Sequence, residues 1–518
     1  MKQLVILCIS LAMVCFSASA QLNDQQQIQK LNYAYQQIRN NYVDDVPLEP
    51  LVEEAIKATI QRLDPHSTYL DREDMEALRA RLDGEFAGIG LRSITHNDTL
   101  VVCGTIDSSP AHRADLRPND RIVAIDGKRI IGIHQDSIAS LLKSEAKSNV
   151  TLSIIRHSND KRLDIKLQRE IIETSAITST FRIDNIGYIA ISAFSKSLTS
   201  EFYEAYNSLG DITSLIIDLR DNAGGSITSA IDLSSLFLHK DDIIVSTEGR
   251  NRKIVYTKRR DTKPIATPLV VLINENSASA SELFAGAMQD HDRGVIVGHT
   301  SFGKGLVQSV IDLKDGTGIT LTTARYKTPS GRIIQRPYNM GGHDDYQRDS
   351  MRYMHPDSIP HDSKLLFHTL RHGRKIYGGG GITPDIYLPT DHILLSMCVA
   401  RSYSEAQFEH SIIDYCDLVS PATIKKQHPS VERFDKYYTT DSTLLDIFYN
   451  RSGYTAEDIT PLDREYIEVM LRATLAEHLY GSEARYYIYG RGFDPMLQQT
   501  IAIAGNHRLI ASTLGFSL

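Results

Sequence analysis

A chain of 518 residues, 42% hydrophobic and 23% charged, has room for roughly two to four folding units and the composition of an ordinary globular protein. Its net charge of −8 at pH 7 speaks against general nucleic-acid binding, and the sequence holds no low-complexity tract or internal repeat.

The opening stretch MKQLVILCISLAMVCFSASAQ joins one lysine, Lys2, to an apolar run and then to small residues, with Ala18 and Ala20 at signal-peptidase spacing. It predicts a secretory signal over residues 1–20, cut after Ala20, and a secreted, periplasmic mature protein. The run from Leu4 to Phe16 is short for a membrane anchor, and neither Cys8 nor Cys15 stands in a lipid-attachment context. No later stretch is apolar enough for a span. Past the signal only Cys103, Cys398 and Cys416 remain, scattered and without metal-ligand spacing, so neither a disulfide framework nor a metal site is expected.

Residues 21–83 read as helical, with apolar positions at Ile28, Leu31, Tyr35 and Ile38 and again at Leu51, Ala55, Ile60 and Leu63. VDDVPLEP breaks the pattern, and LDPHSTYL comes after it, where Asp64-Pro65 favours a turn. His66 in that turn reads first as a local hydrogen-bonding residue and only second as a ligand or base.

Residues 84–172 change to short alternating stretches (GIGLRSI, TLVVCGTI, DRIVAIDG, NVTLSIIRH, RLDIKLQRE) with one helical piece, HQDSIASLLKS. This module resembles a PDZ domain. Gly88, Ile89, Gly90 and Leu91 would form the loop that holds a peptide carboxylate, with Ile138 to Leu142 on the groove helix. Two positions usually glycine are here Asp115 and Asn119, residue types that tolerate positive φ.

Residues 173–390 alternate on a larger scale: IGYIAIS, LTSEFYEAYNSLG, SLIIDLRDNAGG, SITSAIDLSSLFL, PLVVLIN, SASELFAGAMQ and GVIVG. Strand and helix in turn predict βαβ crossovers and a sheet covered on both sides, an α/β core. Residues 391–518 read as a helical extension with no chemical signature beyond packing or oligomerisation.

The chemistry centres on NENSASASELFAGAMQD. Ser279 and Glu282 have capping-box spacing, yet a helix start also offers free N–H groups that stabilise an anionic oxygen, so Ser279 can cap, attack, or both. A hydroxyl nucleophile needs a base. His291 and His299 are the nearest histidines, with Asp292 as the one orienting carboxylate at hand. A lysine serves instead if burial brings its pKa down, and GHTSFGKGLVQ supplies Lys304 beside Phe302 and Leu306. The same segment nearly spells a phosphate-binding loop, but Gly305 stands where Ser or Thr would hold magnesium, and GLVQSVIDL reads as a strand rather than the required helix.

With LIIDLRDNAGG before it and TLTTARYKTPSGRIIQ…GGGITPDI after it, this segment resembles the carboxyl-terminal processing peptidases, or tail-specific proteases, from the LDPHSTYL turn to about Leu388. The resemblance implies a crotonase-like α/β core with the PDZ module inserted, Ser279 as nucleophile, Lys304 as base and Gln308 steering the lysine. Strand parity would put residues 304, 306 and 308 on one face. It further implies an oxyanion hole from Ala280 and the Gly224-Gly225 pair, and protein substrates recognised by their free C-termini, with no cofactor. Proline usually stands where this chain has Ala223, which should loosen that turn slightly. The competing class is a non-catalytic PDZ-containing binding protein of the same fold.

Overall fold

The computed structural model describes residues 23–142, 146–156, 161–258, 260–339, 346, 363–389, 395–455 and 457–516. The expected signal, residues 1–20, lies outside them. Among the described residues no helix is long and apolar enough to cross a membrane, and no cluster of His, Cys, Asp and Glu is arranged to hold a metal ion. The three remaining cysteines are unpaired thiols.

The central sheet has six strands in the order Ile177–Ile183, Ile186–Ile191, Ser214–Asp218, Leu269–Ile273, Gly294–Gly298 and Ile386–Tyr387. The first pair is antiparallel and the rest are parallel. The interior strands are buried on both faces, which explains their continuous apolar runs such as LVVLI. Alternate residues serve different cores. Ile189, Leu215, Ile217, Val271 and Ile296 pack under the crossover helices Leu198–Ser208, Ile227–Ser235 and Ala280–Asp290.

On the other face, Tyr188, Ile216, Val270, Leu272 and Val295 pack against Met496, Leu497, Ile503 and Ile510. The expectation of cover on both faces therefore holds, but the second layer is built by the C-terminal helices Pro495–Gly505 and His507–Thr513 rather than by crossovers. Arg220 joins the two parts, bonding Asp218 at the sheet end at 2.6 Å and Asp494, which caps the first of those helices, at 2.7 Å.

A second, antiparallel sheet lies beside the first. Strand Gly318–Lys327 pairs with Leu306–Asp312, with Ile243–Gly249 and with the short Thr68–Leu70 from the N-terminal arm. The arm itself forms helices Asp24–Asn41, Leu48–Ile60 and Arg72–Asp83. The first buries none of its residues, so the apolar face predicted from Ile28 and Leu31 meets no core among the described residues.

The inserted module has its own core around Val102, Ile122, Ile138, Leu152 and Ile154. It joins the rest through a two-stranded ribbon, Glu85–Gly88 with Glu170–Glu173. Asp115 and Asn119 adopt φ of 57° and 68°, as expected for residues replacing glycine. Asn119 has a second use, because its amide donates to the Ile413 carbonyl and to Asp417 in helix Gln407–Leu418 of the extension, both at 3.0 Å. Arg121 bonds the same Asp417 and Arg92 bonds Glu477. His96 lies 2.9 Å from both Asp414 and His410. Strand Leu91–His96 is thus held by the extension, whose helices from Met397–Ser404 to Ser482–Gly492 gather around Phe408, Phe434, Phe448 and Leu475.

Replacing Arg220 by Ala would leave Asp218 and Asp494 as uncompensated, nearly buried charges. The expected cost is about 3–5 kcal/mol of docking energy, read as earlier proteolytic release of the last two helices; unchanged resistance would show that the apolar contacts suffice.

Candidate active site

Three serines crowd the turn into helix Ala280–Asp290, and their hydroxyls have different fates. Ser277 Oγ donates to the Leu219 carbonyl at 2.7 Å, and Ser281 Oγ to the Asn222 carbonyl at 2.8 Å. Both residues are fully buried. Ser279 is half-buried and makes no capping bond from its side chain, so the box is closed at bonding distance only from the glutamate side. Its φ of 58° with ψ of −111° is a backbone conformation that non-glycine residues rarely adopt, a strain of about 1–3 kcal/mol that the surroundings must hold.

Glu282 is what holds it. Its carboxylate is wholly buried in the first turn of the helix. Oε2 accepts the backbone N–H groups of Ser279 and Lys304, each at 2.8 Å. Oε1 accepts from Gly303 N–H and Ser301 Oγ, each at 2.6 Å. One oxygen therefore ties together the two residues that the sequence nominated. Burial pushes the Glu282 pKa up, and its four donors oppose that shift. Buried Tyr326 adds a second tie, its hydroxyl lying 3.1 Å from the Ser279 carbonyl and 2.8 Å from that of Lys304.

Lys304 stands in the loop before strand Leu306–Asp312, not on it, and a bulge interrupts the pairing between Val307 and Gln308. The parity expected for residues 304, 306 and 308 is thus broken. Gln308 still reaches the lysine, for Nζ donates to Oε1 at 2.8 Å. Among the described residues no hydrogen bond joins Nζ to Ser279 Oγ. The ammonium has no carboxylate hydrogen-bonded to it among them. Burial lowers its pKa, Arg81 lowers it further, and Glu282 and Asp64 pull the other way.

The glycine pair has positive φ, 95° at Gly224 and 150° at Gly225. A Cβ on Gly224 would come within 2.8 Å of both Ala280 N and Ser279 Cβ, so only glycine lets this turn approach the serine. Gly224 N–H, however, donates to Asn222 Oδ1 at 2.8 Å. That leaves Gly225 as the member of the pair whose N–H is not engaged by Asn222. The turn lacks proline at Ala223 but is pinned by Asp221, whose carboxylate accepts from Asn274 at 2.9 Å and Asn276 at 2.8 Å.

The histidines are engaged elsewhere. His291 Nε2 lies 2.7 Å from the Ile243 carbonyl, and His299 lies between Glu275 at 3.1 Å and the Leu388 carbonyl at 3.0 Å. Asp292 bonds Arg374 at 2.6 Å rather than orienting His291. In the inserted module, Ile89 is buried and the Ile89 and Gly90 carbonyls accept bonds from Ala111 and Ile106 at 2.9 Å, fixing the loop of Gly88, Ile89, Gly90 and Leu91, with Gly90 at φ 73°.

Sequence reading missed the scaffold of this site. Glu282 was visible as a cap, but its bonds to Gly303 and Lys304 come from a distant loop. Asn222, at a strand end before two glycines, carried a turn signal. Tyr326 carried none.

A model of peptidase family S41 matches residues 185–347, a PDZ domain model matches residues 87–167, and a model of the N-terminal domain of the activating protease CtpB matches residues 11–74. Among curated proteins, the carboxy-terminal-processing protease of Bartonella bacilliformis is 36% identical over 63% of this chain and 78% of its own. The carboxy-terminal processing proteases CtpA and CtpB of Bacillus subtilis are each 33% identical. The matches cover 59% and 63% of this chain, and 66% and 69% of theirs. The chain has the fold of a serine-type peptidase carrying a PDZ domain. Within that class the chain belongs to the carboxy-terminal processing proteases, which sets aside the non-catalytic binding reading.

Replacing Glu282 by Gln would turn one acceptor into a donor facing N–H or O–H groups. A loss of about 2–4 kcal/mol is expected, seen as a lower urea midpoint; an unchanged midpoint would remove the carboxylate from this role.

Proposed function

We propose that this chain is a secreted endopeptidase that works with a Ser279/Lys304 dyad on protein substrates whose free C-termini the PDZ module binds. The observation that carries the reading is the shared Glu282 oxygen: it holds the backbone of a strained serine, whose side chain makes no capping bond, and of a half-buried lysine in one network. Neutral Lys304 takes the Ser279 proton as Oγ attacks the peptide carbonyl. Ala280 N–H at the helix start and Gly225 N–H receive the charge that develops on the carbonyl oxygen. Lys304 then protonates the leaving amine, and water hydrolyses the acyl-enzyme.

Gln308 Oε1 accepts a hydrogen bond from one amine N–H and so leaves the lone pair available. A lysine is suited to this cycle only while uncharged, which desolvation favours. The loop of Gly88, Ile89, Gly90 and Leu91 takes the substrate carboxylate, with strand Leu91–His96 pairing to the peptide. Export through the predicted signal places this activity outside the cytoplasm, in the periplasm. No cofactor enters the cycle.

Ser279→Ala and Lys304→Ala should each abolish cleavage of an unstructured protein without loss of folding. Activity surviving in Lys304→Ala but lost with His291 or His299 would replace the dyad by a histidine base. Because the lysine pKa is lowered, the base is active above it and is lost as pH falls through it. kcat/KM should therefore rise with pH through a midpoint below the ordinary lysine value of about 10.4, and Lys304→Arg, always charged, should be inactive at every pH.

A further inference from the structure

The LDPHSTYL turn belongs to the N-terminal arm, yet it reaches the lysine's partner. The Gln308 amide nitrogen donates to the main-chain carbonyl of His66, while its oxygen accepts from Lys304 Nζ at 2.8 Å. A main-chain carbonyl can only accept. It therefore fixes which end of the amide faces the amine.

The choice matters chemically. With the oxygen toward Nζ, a neutral amine uses one N–H and leaves its lone pair for the serine proton. With the nitrogen toward Nζ, an amide N–H would occupy that lone pair and the base would be blocked. The reversed amide would also set two acceptors against each other at His66.

The turn that holds this carbonyl is itself over-determined. Asp64 accepts from His66 N and Ser67 N, each at 2.8 Å, and from Ser67 Oγ at 2.6 Å. Burial pushes the Asp64 pKa up, but these bonds outweigh it and hold the carboxylate below its usual value. Ser67 Oγ in turn accepts from Thr322 N at 3.0 Å, and Thr322 is the residue paired with Gln308 at the bulge. Both Asp64 and Ser67 are buried.

We propose that Asp64 and Ser67 are positioning residues for peptide cleavage, acting through the His66 carbonyl and the Gln308 amide to keep the Lys304 lone pair free. The N-terminal arm is then part of the catalytic apparatus. This rests on Lys304 being the base.

The test uses the full chain with Ser67→Ala, Asp64→Asn and Lys304→Ala, assayed on an unstructured protein for kcat and KM, each normalised to the folded fraction. Ser67→Ala and Asp64→Asn are expected to lower kcat about ten- to a hundredfold with KM unchanged. Asp64→Asn also removes a charge that favours the protonated amine, so its acid limb should move to lower pH, a change that mere unfolding would not produce. Wild-type kcat in both turn variants, with Lys304→Ala inactive, would overturn this proposal alone. Activity in Lys304→Ala would instead overturn the dyad. A loss that vanishes on normalisation assigns the turn a structural role and also overturns the proposal.

Discussion

Two backbone N–H groups converge on one oxygen of Glu282, and the arrangement of the Ser279 turn against the Lys304 loop rests on that convergence. The carboxylate sits in the first turn of a helix that is buried along its whole length, where charge is disfavoured unless donors surround it. Four do. Their geometry fixes the Ser279 turn in its uncommon conformation and sets the Lys304 loop against it, although the two come from different connections of the α/β core. A helix cap, ordinarily a local device, has become the joint between the Ser279 turn and the Lys304 loop.

Around that joint the chain arranges support from unusually distant segments. The arm before the PDZ module contributes the turn that orients Gln308, and the last helices of the chain form one whole face of the central sheet. The helical extension also grips the PDZ strand through Arg92, His96, Asn119 and Arg121. PDZ strand, sheet and extension are thereby coupled by polar contacts at partly buried positions. The narrow ribbon at Glu85–Gly88 ties the module to the core from its other side.

Much of this was legible in the sequence, and for identifiable reasons. Continuous apolar strands such as LVVLI, each succeeded by a helical period, announced the α/β core, and the positive-φ residues Asp115 and Asn119 stood where glycine is usual. Ser279, Lys304 and Gln308 were nominated by motif, and the structure brings Lys304 and Gln308 into direct contact. The reasoning from strand parity failed because a bulge has no local sequence signature strong enough to read. Gly224 as a donor failed because its N–H is claimed by Asn222, a bond that only the folded turn defines. The roles of Tyr326, Ser67 and the C-terminal helices were invisible for a common reason: each depends on contacts between segments far apart in the chain.

The central claim is that burial in this network holds the Lys304 amine below the ordinary lysine pKa, so that it can be uncharged when it takes the serine proton. The most direct measurement is NMR titration of the Lys304 side chain in protein carrying labelled lysine and Ser279→Ala, with the resonance assigned by its loss in Lys304→Met. A midpoint well below the ordinary lysine value of about 10.4 is expected. A midpoint at or above that value would contradict Lys304 as the base and, with it, the dyad.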